Sequence, residues 1–297
     1  MKQLKIILGT ILSVVLMASC GSNAKQDEKG SDNFDLEAYI KAAEAIDPNL
    51  SRVDQIFNIL DMVNAEYYSV LTNDPYNAHS YKVSYPIAAA NLGIYMTDVI
   101  YHFYGEDEES MYLSFQAAQE LAKYIGVQSE FGSFTIQQME GSVMRRDTIT
   151  RLFNNLLIDS EKYTSEEQTV FVHTAFLTGS FIEKVYITSN LLKQKMANQE
   201  LTKEQESDIR ELFVIYLNQL DPSTSILYEA FEKQQEQLEG IIVLTTFDRL
   251  RELSQELQKV KPTLSVAPIS EIASNEQLHR TFELIANLRN LLVTPTS

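Results

Sequence analysis

The sequence predicts an all-α fold, a helical bundle of about nine or ten helices, and three observations carry that prediction. Glycine and proline are scarce, ten and seven in 297 residues, while Leu, Ile, Glu and Gln abound, a composition that favours helix throughout. Apolar residues recur at intervals of three and four, as in Val53, Ile56, Phe57, Leu60 and Val63, and again in Ile209, Leu212, Phe213, Tyr216 and Leu220; such spacing lines one face of a helix. Helix starts are marked by capping chemistry. Asp47-Pro48 and Asp221-Pro222 each place a carboxylate before a proline suited to the first helical position. Ser165-Glu166-Glu167-Gln168, Thr202-Lys203-Glu204-Gln205 and Ser274-Asn275-Glu276-Gln277 match the capping box, in which two side chains satisfy orphan amides reciprocally. No run alternates with period two, so no sheet is expected.

Taken in order, the first element is a leader. Lys2 and Lys5 precede an apolar run from Ile6 to Met17, and the small residues Ala18 and Ser19 lead into Cys20. This is the layout of a secretory signal, with an apolar core too short for a transmembrane helix. Met17-Ala18-Ser19-Cys20 resembles the lipobox of bacterial lipoproteins, which implies cleavage after residue 19 and a diacylglycerol on the Cys20 thiol. Cys20 is the one cysteine of the chain, so an internal disulfide is ruled out and stability must come from the core. Residues 20–33 then read as a polar tether with nothing to bury. Membrane contact is expected through the lipid alone.

Residues 34–297 form the expected helical domain, with helices near 35–46, 50–71, 86–104, 108–125, 134–159, 165–198, 202–220, 222–239, 245–260 and 275–292. Gly240 before Ile241 predicts a break, although 222–260 as one kinked helix is also compatible with the pattern. The chain repeats itself: Gly93-Ile94-Tyr95-Met96-Thr97-Asp98-Val99 aligns with Gly179-Ser180-Phe181-Ile182-Glu183-Lys184-Val185. This suggests an internal duplication of helix hairpins, about 50–126 and 134–220, followed by C-terminal helices over 222–292. A mid-helix glycine costs about 1 kcal/mol against alanine, and close approach of another backbone is the usual compensation. The two glycine helices are therefore expected at the centre, crossing near Gly93 and Gly179.

The stretch Ala89-Ala90-Asn91-Leu92-Gly93-Ile94-Tyr95-Met96-Thr97-Asp98-Val99-Ile100-Tyr101 resembles the characteristic segment of an uncharacterised family of all-helical Bacteroidetes lipoproteins. Asn73-Asp74-Pro75-Tyr76-Asn77-Ala78, Leu121-Ala122-Lys123-Tyr124-Ile125-Gly126-Val127 and Gly179–Tyr186 fit the same pattern, so the likeness spans about residues 50–260. It implies an all-helical body in the cell envelope, at the outer membrane on either the periplasmic face or the cell surface. It implies no catalytic residue. In that group of bacteria acidic residues soon after the lipid cysteine accompany surface export; Asp27 and Glu28 fit this, and solvation of a linker explains them equally well.

A formal charge of −17, made more negative by loss of Lys2 and Lys5 with the leader, counts against nucleic acid or anionic lipid as a partner. No Gly-x-Ser-x-Gly elbow or His-Glu-x-x-His motif is present, so no catalytic residue, metal or cofactor is assigned. Glu106-Asp107-Glu108-Glu109 reads as a solvated helix start that favours the helix dipole, not as a calcium loop. Asp98 and His102, four apart, share a helix face. With Asn91, His173, Ser180 and Lys184 they define a conceivable polar seam between the glycine helices, which would either hold a ligand or fix helix register through an Asp98–Lys184 pair. Ten of the fifteen tyrosines fall between Tyr67 and Tyr124. The loop carrying Tyr76, Tyr81 and Tyr85 is either an exposed partner surface or a flap folded over the bundle with its rings buried. Two function classes follow: a non-enzymatic binding or scaffold lipoprotein with a protein partner, and a helical-bundle enzyme or small-ligand carrier using Asp98, His102 and His173.

Overall fold

The computed structural model describes residues 54–62, 65–127, five positions between 146 and 153, 170–197, 201–232 and 241–294, all within the unit Leu36–Ser297. The described residues form eight α-helices and two 3-10 segments, with no strand among them, and the all-α expectation holds. In chain order the helices are α1 (Asp54–Met62), α2 (Tyr85–Tyr104), α3 (Glu108–Ile125), α4 (Val170–Ala197), α5 (Lys203–Glu232), α6 (Ile241–Leu264), α7 (Ile269–Ala273) and α8 (Glu276–Val293); the 3-10 segments are Ser69–Leu71 and Pro75–Tyr81. Cys20, the tether, the helix expected at 35–46, the starts at Asp47 and Ser165 and most of the helix expected at 134–159 lie outside the described residues. Arg146 is helical and forms a two-pronged ion pair with Asp61.

Local chemistry explains most of the helix ends. Ser84 caps α2 by accepting from the Ile87 amide, with proline in the first turn. Asp107 caps α3 through the Ser110 amide, Glu108 and Glu109 occupy the first turn, and Gly126 ends the helix at φ 87°, a left-handed position where glycine has no steric penalty. Thr202 and Gln205 form the reciprocal capping box that the sequence predicts, with bonds of 3.2 and 2.9 Å. At α8 the cap is one residue later than the box places it: Asn275 accepts from Leu278, while Ser274 closes the preceding turn.

The glycine helices cross at the centre. α2 packs along α4 and α3; α5 and α6 pair with each other, and α8 lies against α6, α4 and α2. A β-carbon on Gly93 would run into the Phe176 carbonyl and one on Gly179 into the Ala90 carbonyl. The contact is reciprocal, each glycine meeting the residue three before the other, as the repeat register requires. Ser180 Oγ donates to the Gly93 carbonyl at 3.2 Å. Around this crossing Ala89, Ile94, Met96, Phe181, Ile182 and Val185 are buried.

Three expectations about the helices need correction. The helix predicted over 50–71 stops at Met62; residues 65–68 are irregular and a single 3-10 turn follows. Its cause is tertiary, because Tyr104 Oη sits 3.1 Å from the carbonyls of Leu60 and Ala65 and fixes the exit. The helices predicted over 202–220 and 222–239 are one continuous α5, so Asp221-Pro222 starts nothing. Proline removes from the ladder the amide that would bond the Asn218 carbonyl; close by, Gln258 Nε2 of α6 bonds the Leu217 carbonyl at 2.7 Å. α6 spans Ile241–Leu264 and reaches past Pro262. The short α7 was not expected; Arg210 of α5 bonds the carbonyls of Ser265 and Ala267 just before it.

Candidate functional site

Residues 65–84 form a strap that runs antiparallel to α2, and the polar residues of α2 hold it. Tyr67 Oη meets His102 Nδ1 at 2.7 Å, and the Tyr68 amide donates to Tyr101 Oη at 3.0 Å. Further along, the Asn73 amide donates to Asp98 Oδ2 at 3.0 Å and Tyr95 Oη donates to the Asp74 carbonyl at 2.7 Å. The strap then coils into its second 3-10 segment, capped by Asp74, which accepts from the Tyr76 amide. Asn73 and Tyr81 bond one another, and Tyr81 Oη donates to the Val293 carbonyl at 2.7 Å. Asn91 Nδ2 bonds the neighbouring Leu292 carbonyl at 2.9 Å. The same set of side chains thus ties the strap and the end of α8 to α2.

Asp98 lies at the middle of this seam, and the charges that act on it are those of Glu183 and Arg289. Asp98 and Glu183 are fully buried. Arg289 grips Glu183 with two bonds, 2.6 and 2.9 Å, and reaches the Leu71 carbonyl of the strap at 3.3 Å. Its guanidinium also stands over the Tyr186 ring, 4.4 Å from the centroid. Burial works against the Arg289 charge, but the adjacent Glu183 carboxylate outweighs it and holds the guanidinium protonated. Burial, then the Glu183 charge, push the Asp98 carboxyl well above the usual carboxylate range; Arg289 and the Asn73 amide offset this only in part.

His102 belongs to a second network one turn away. Its Nε2 is 3.1 Å from Ser114 Oγ, and Tyr67 Oη also contacts Asp107 Oδ2 at 2.8 Å. Tyr67 has one proton, and the Asp107 carboxylate is the stronger acceptor. That assigns the ring proton to Nδ1, donating to Tyr67, and leaves Nε2 to accept from Ser114. Burial lowers the His102 pKa to about 4, against a smaller opposing effect of Asp107. Serine, histidine and a carboxylate in series look like a nucleophilic relay. Ser114 is fully buried, however, with its hydroxyl turned to His102.

The remaining predicted residues divide. His173 and Lys184 are buried on α4, each engaged in an interaction of its own. Among the described residues no group of three or more His, Cys, Asp or Glu side chains can hold a metal. Of the three tyrosines, Tyr81 is buried and belongs to the seam, as the flap alternative expects and the partner-surface alternative does not. Tyr85 is at the edge, its ring 5.5 Å from Tyr124, and Tyr76 is 79% exposed. The outer side of the strap exposes Val70, Tyr76 and Val83 among the polar residues Glu66, Ser69, Asp74 and His79; Val70 is 83% exposed, and these three with Tyr85 at the start of α2 are four of the six large apolar side chains exposed among the described residues.

Sequence reasoning missed Glu183, Arg289, Asn73, Tyr67 and Ser114. Arg289 carries a usable signal, since Leu278, Phe282 and Ile285 define a buried stripe of α8 and Arg289 is its next member. A charge on such a stripe needs a buried partner. The chain matches no known family model, no curated protein and no solved structure.

Proposed function

We propose that this chain is a cell-envelope lipoprotein, anchored through lipid on Cys20, whose helical body is a non-enzymatic binding or scaffold protein. The outer face of the strap is its docking surface, and the partner is a protein. The observation that carries this reading is the two-sidedness of the strap. Its inner groups are used up in bonds to α2 and α8, while Val70, Tyr76 and Val83 face outward. Aromatic and aliphatic side chains left in solvent cost a monomer solubility and characterise contact surfaces. Membrane attachment through lipid fits the absence, among the described residues, of any helix long and apolar enough to cross a bilayer. The acidic balance favours a partner that is not itself strongly anionic. An enzyme or ligand carrier working through Asp98, His102 and His173 gains less support, because Asp98 and His102 are committed to separate internal networks.

Two measurements test the reading. Labelled fatty acid should enter the full chain and be lost in Cys20→Ser, together with membrane association. Photo-crosslinkers placed at Val70 and Tyr76 in the native envelope should capture one discrete partner that a probe at exposed Gln255 on α6 does not. Equal capture at all three sites, or none at the strap, would reject the docking surface.

A further inference from the structure

Two acids and one base are enclosed together at the junction of α2, α4, α8 and the strap. Asp98 and Glu183 are fully buried, and Arg289, itself 8% exposed, is the cation paired with Glu183. Its guanidinium is spent on both oxygens of Glu183 and on the Leu71 carbonyl. Asp98 Oδ2 takes the Asn73 amide, whereas Oδ1 has no donor at all. The Asp98 carboxyl nevertheless lies within hydrogen-bonding reach of Glu183. Were both acids ionised, two buried carboxylates would repel one another with Arg289 spent on Glu183, and one Asp98 oxygen would go without a donor. Either fault is severe in a low-dielectric site. A single proton on Asp98 Oδ1, donated to Glu183, removes both.

We propose that the folded chain binds one proton between Asp98 and Glu183, and that this proton closes a latch holding the strap and α8 onto α2 and α4. The inference is independent of what docks on the strap. The groups facing Asp98 are Glu183 from α4, Arg289 from α8 and Tyr95 on α2 itself, with the strap's Tyr81 in the field of Arg289 and Tyr186 beneath the guanidinium. Of these Asp98 takes the proton. Glu183 is already the bidentate acceptor of Arg289, and Tyr95 and Tyr81 donate their hydroxyls to the carbonyls of Asp74 and Val293.

The sign of the linkage follows. A carboxyl whose folded value is raised binds its proton more tightly in the folded chain than in the unfolded one. Its contribution to stability is complete below about pH 4 and is lost as pH rises through the folded value. Asp98→Asn makes the latch permanent, because an amide donates to Glu183 and its carbonyl still accepts from Asn73. Denaturant unfolding of the full chain between pH 5 and pH 9 tests this. The unfolding constant of the wild type should rise by up to tenfold per pH unit relative to that of Asp98→Asn, a difference of one bound proton. Asp98→Asn should be the more stable of the two at pH 9, and Glu183→Gln the least stable at every pH. Parallel pH profiles for wild type and Asp98→Asn would overturn the proposal. Should the variant fail to fold, the carbon-13 shift of the Asp98 carboxyl in the wild type decides: titration near the ordinary carboxylate value overturns it, and a protonated carboxyl at neutral pH sustains it.

Discussion

The two sides of α2 are built on opposite principles. Against α4 the helix offers glycine and alanine, and the contact is backbone on backbone around Gly93 and Gly179. Against the strap it offers Tyr95, Asp98, Tyr101 and His102, and the contact is a file of hydrogen bonds. Close packing depends on shape and tolerates changes of pH and salt. A file of hydrogen bonds in a low-dielectric site depends on protonation state and on every partner being present. The first side fixes the fold, and the second holds an attached segment whose outer face is free to work.

Substitutions at the crossing should have the largest effect. Gly179→Ala places a methyl group on the Ala90 carbonyl, and because backbone cannot move aside as a side chain can, the loss should be at least about 3 kcal/mol. Gly93→Ala should act in the same direction, and denaturant midpoints of both variants check this. Next comes the ion cluster. Arg289→Met leaves Glu183 buried without its base and should cost about 3–5 kcal/mol, whereas the double variant Arg289→Met, Glu183→Met should cost less than that single change. Additive losses in that cycle would mean that the two side chains do not act as a unit.

The His102 network sharpens the comparison through pH. With the folded value held near 4 and an unfolded value near 6.5, the unfolded chain takes up a proton first as pH falls. Stability should therefore drop between about pH 6.5 and pH 4, by on the order of 3 kcal/mol. His102→Gln, which cannot be protonated, should remove that part of the slope in a pH series of unfolding curves. The smallest effect belongs to the outer face: Val70→Ser and Tyr76→Ser should change stability by no more than about 0.5 kcal/mol, while abolishing capture by a crosslinker placed at exposed Val83.

The crossing was legible in the sequence because a glycine inside an apolar helix has few other uses, and two occur in matching heptapeptides. The seam was legible only in part. Asn91, Asp98 and His102 stand out as polar residues on an apolar helix, but what they meet is set by chain segments far away, Arg289 at one remove and Tyr67 at another. The strap was legible only in its second half, where the loop through Tyr81 reads as a flap over the bundle. Residues 63–71 suit a helix locally, and only Tyr104 on the Leu60 and Ala65 carbonyls, with Tyr67 drawn to His102, diverts the chain. Asp221-Pro222 likewise failed as a start signal, since α5 runs through it without a break.

Native-state hydrogen exchange of the full chain tests the division between the two sides of α2 most directly. The amides of residues 69–82 and of the last turn of α8 should open together, at a free energy well below that of the amides flanking Gly93 and Gly179, and Arg289→Met should lower the first group while leaving the order unchanged. Exchange of strap, α8 and crossing in one step of equal free energy would contradict the account.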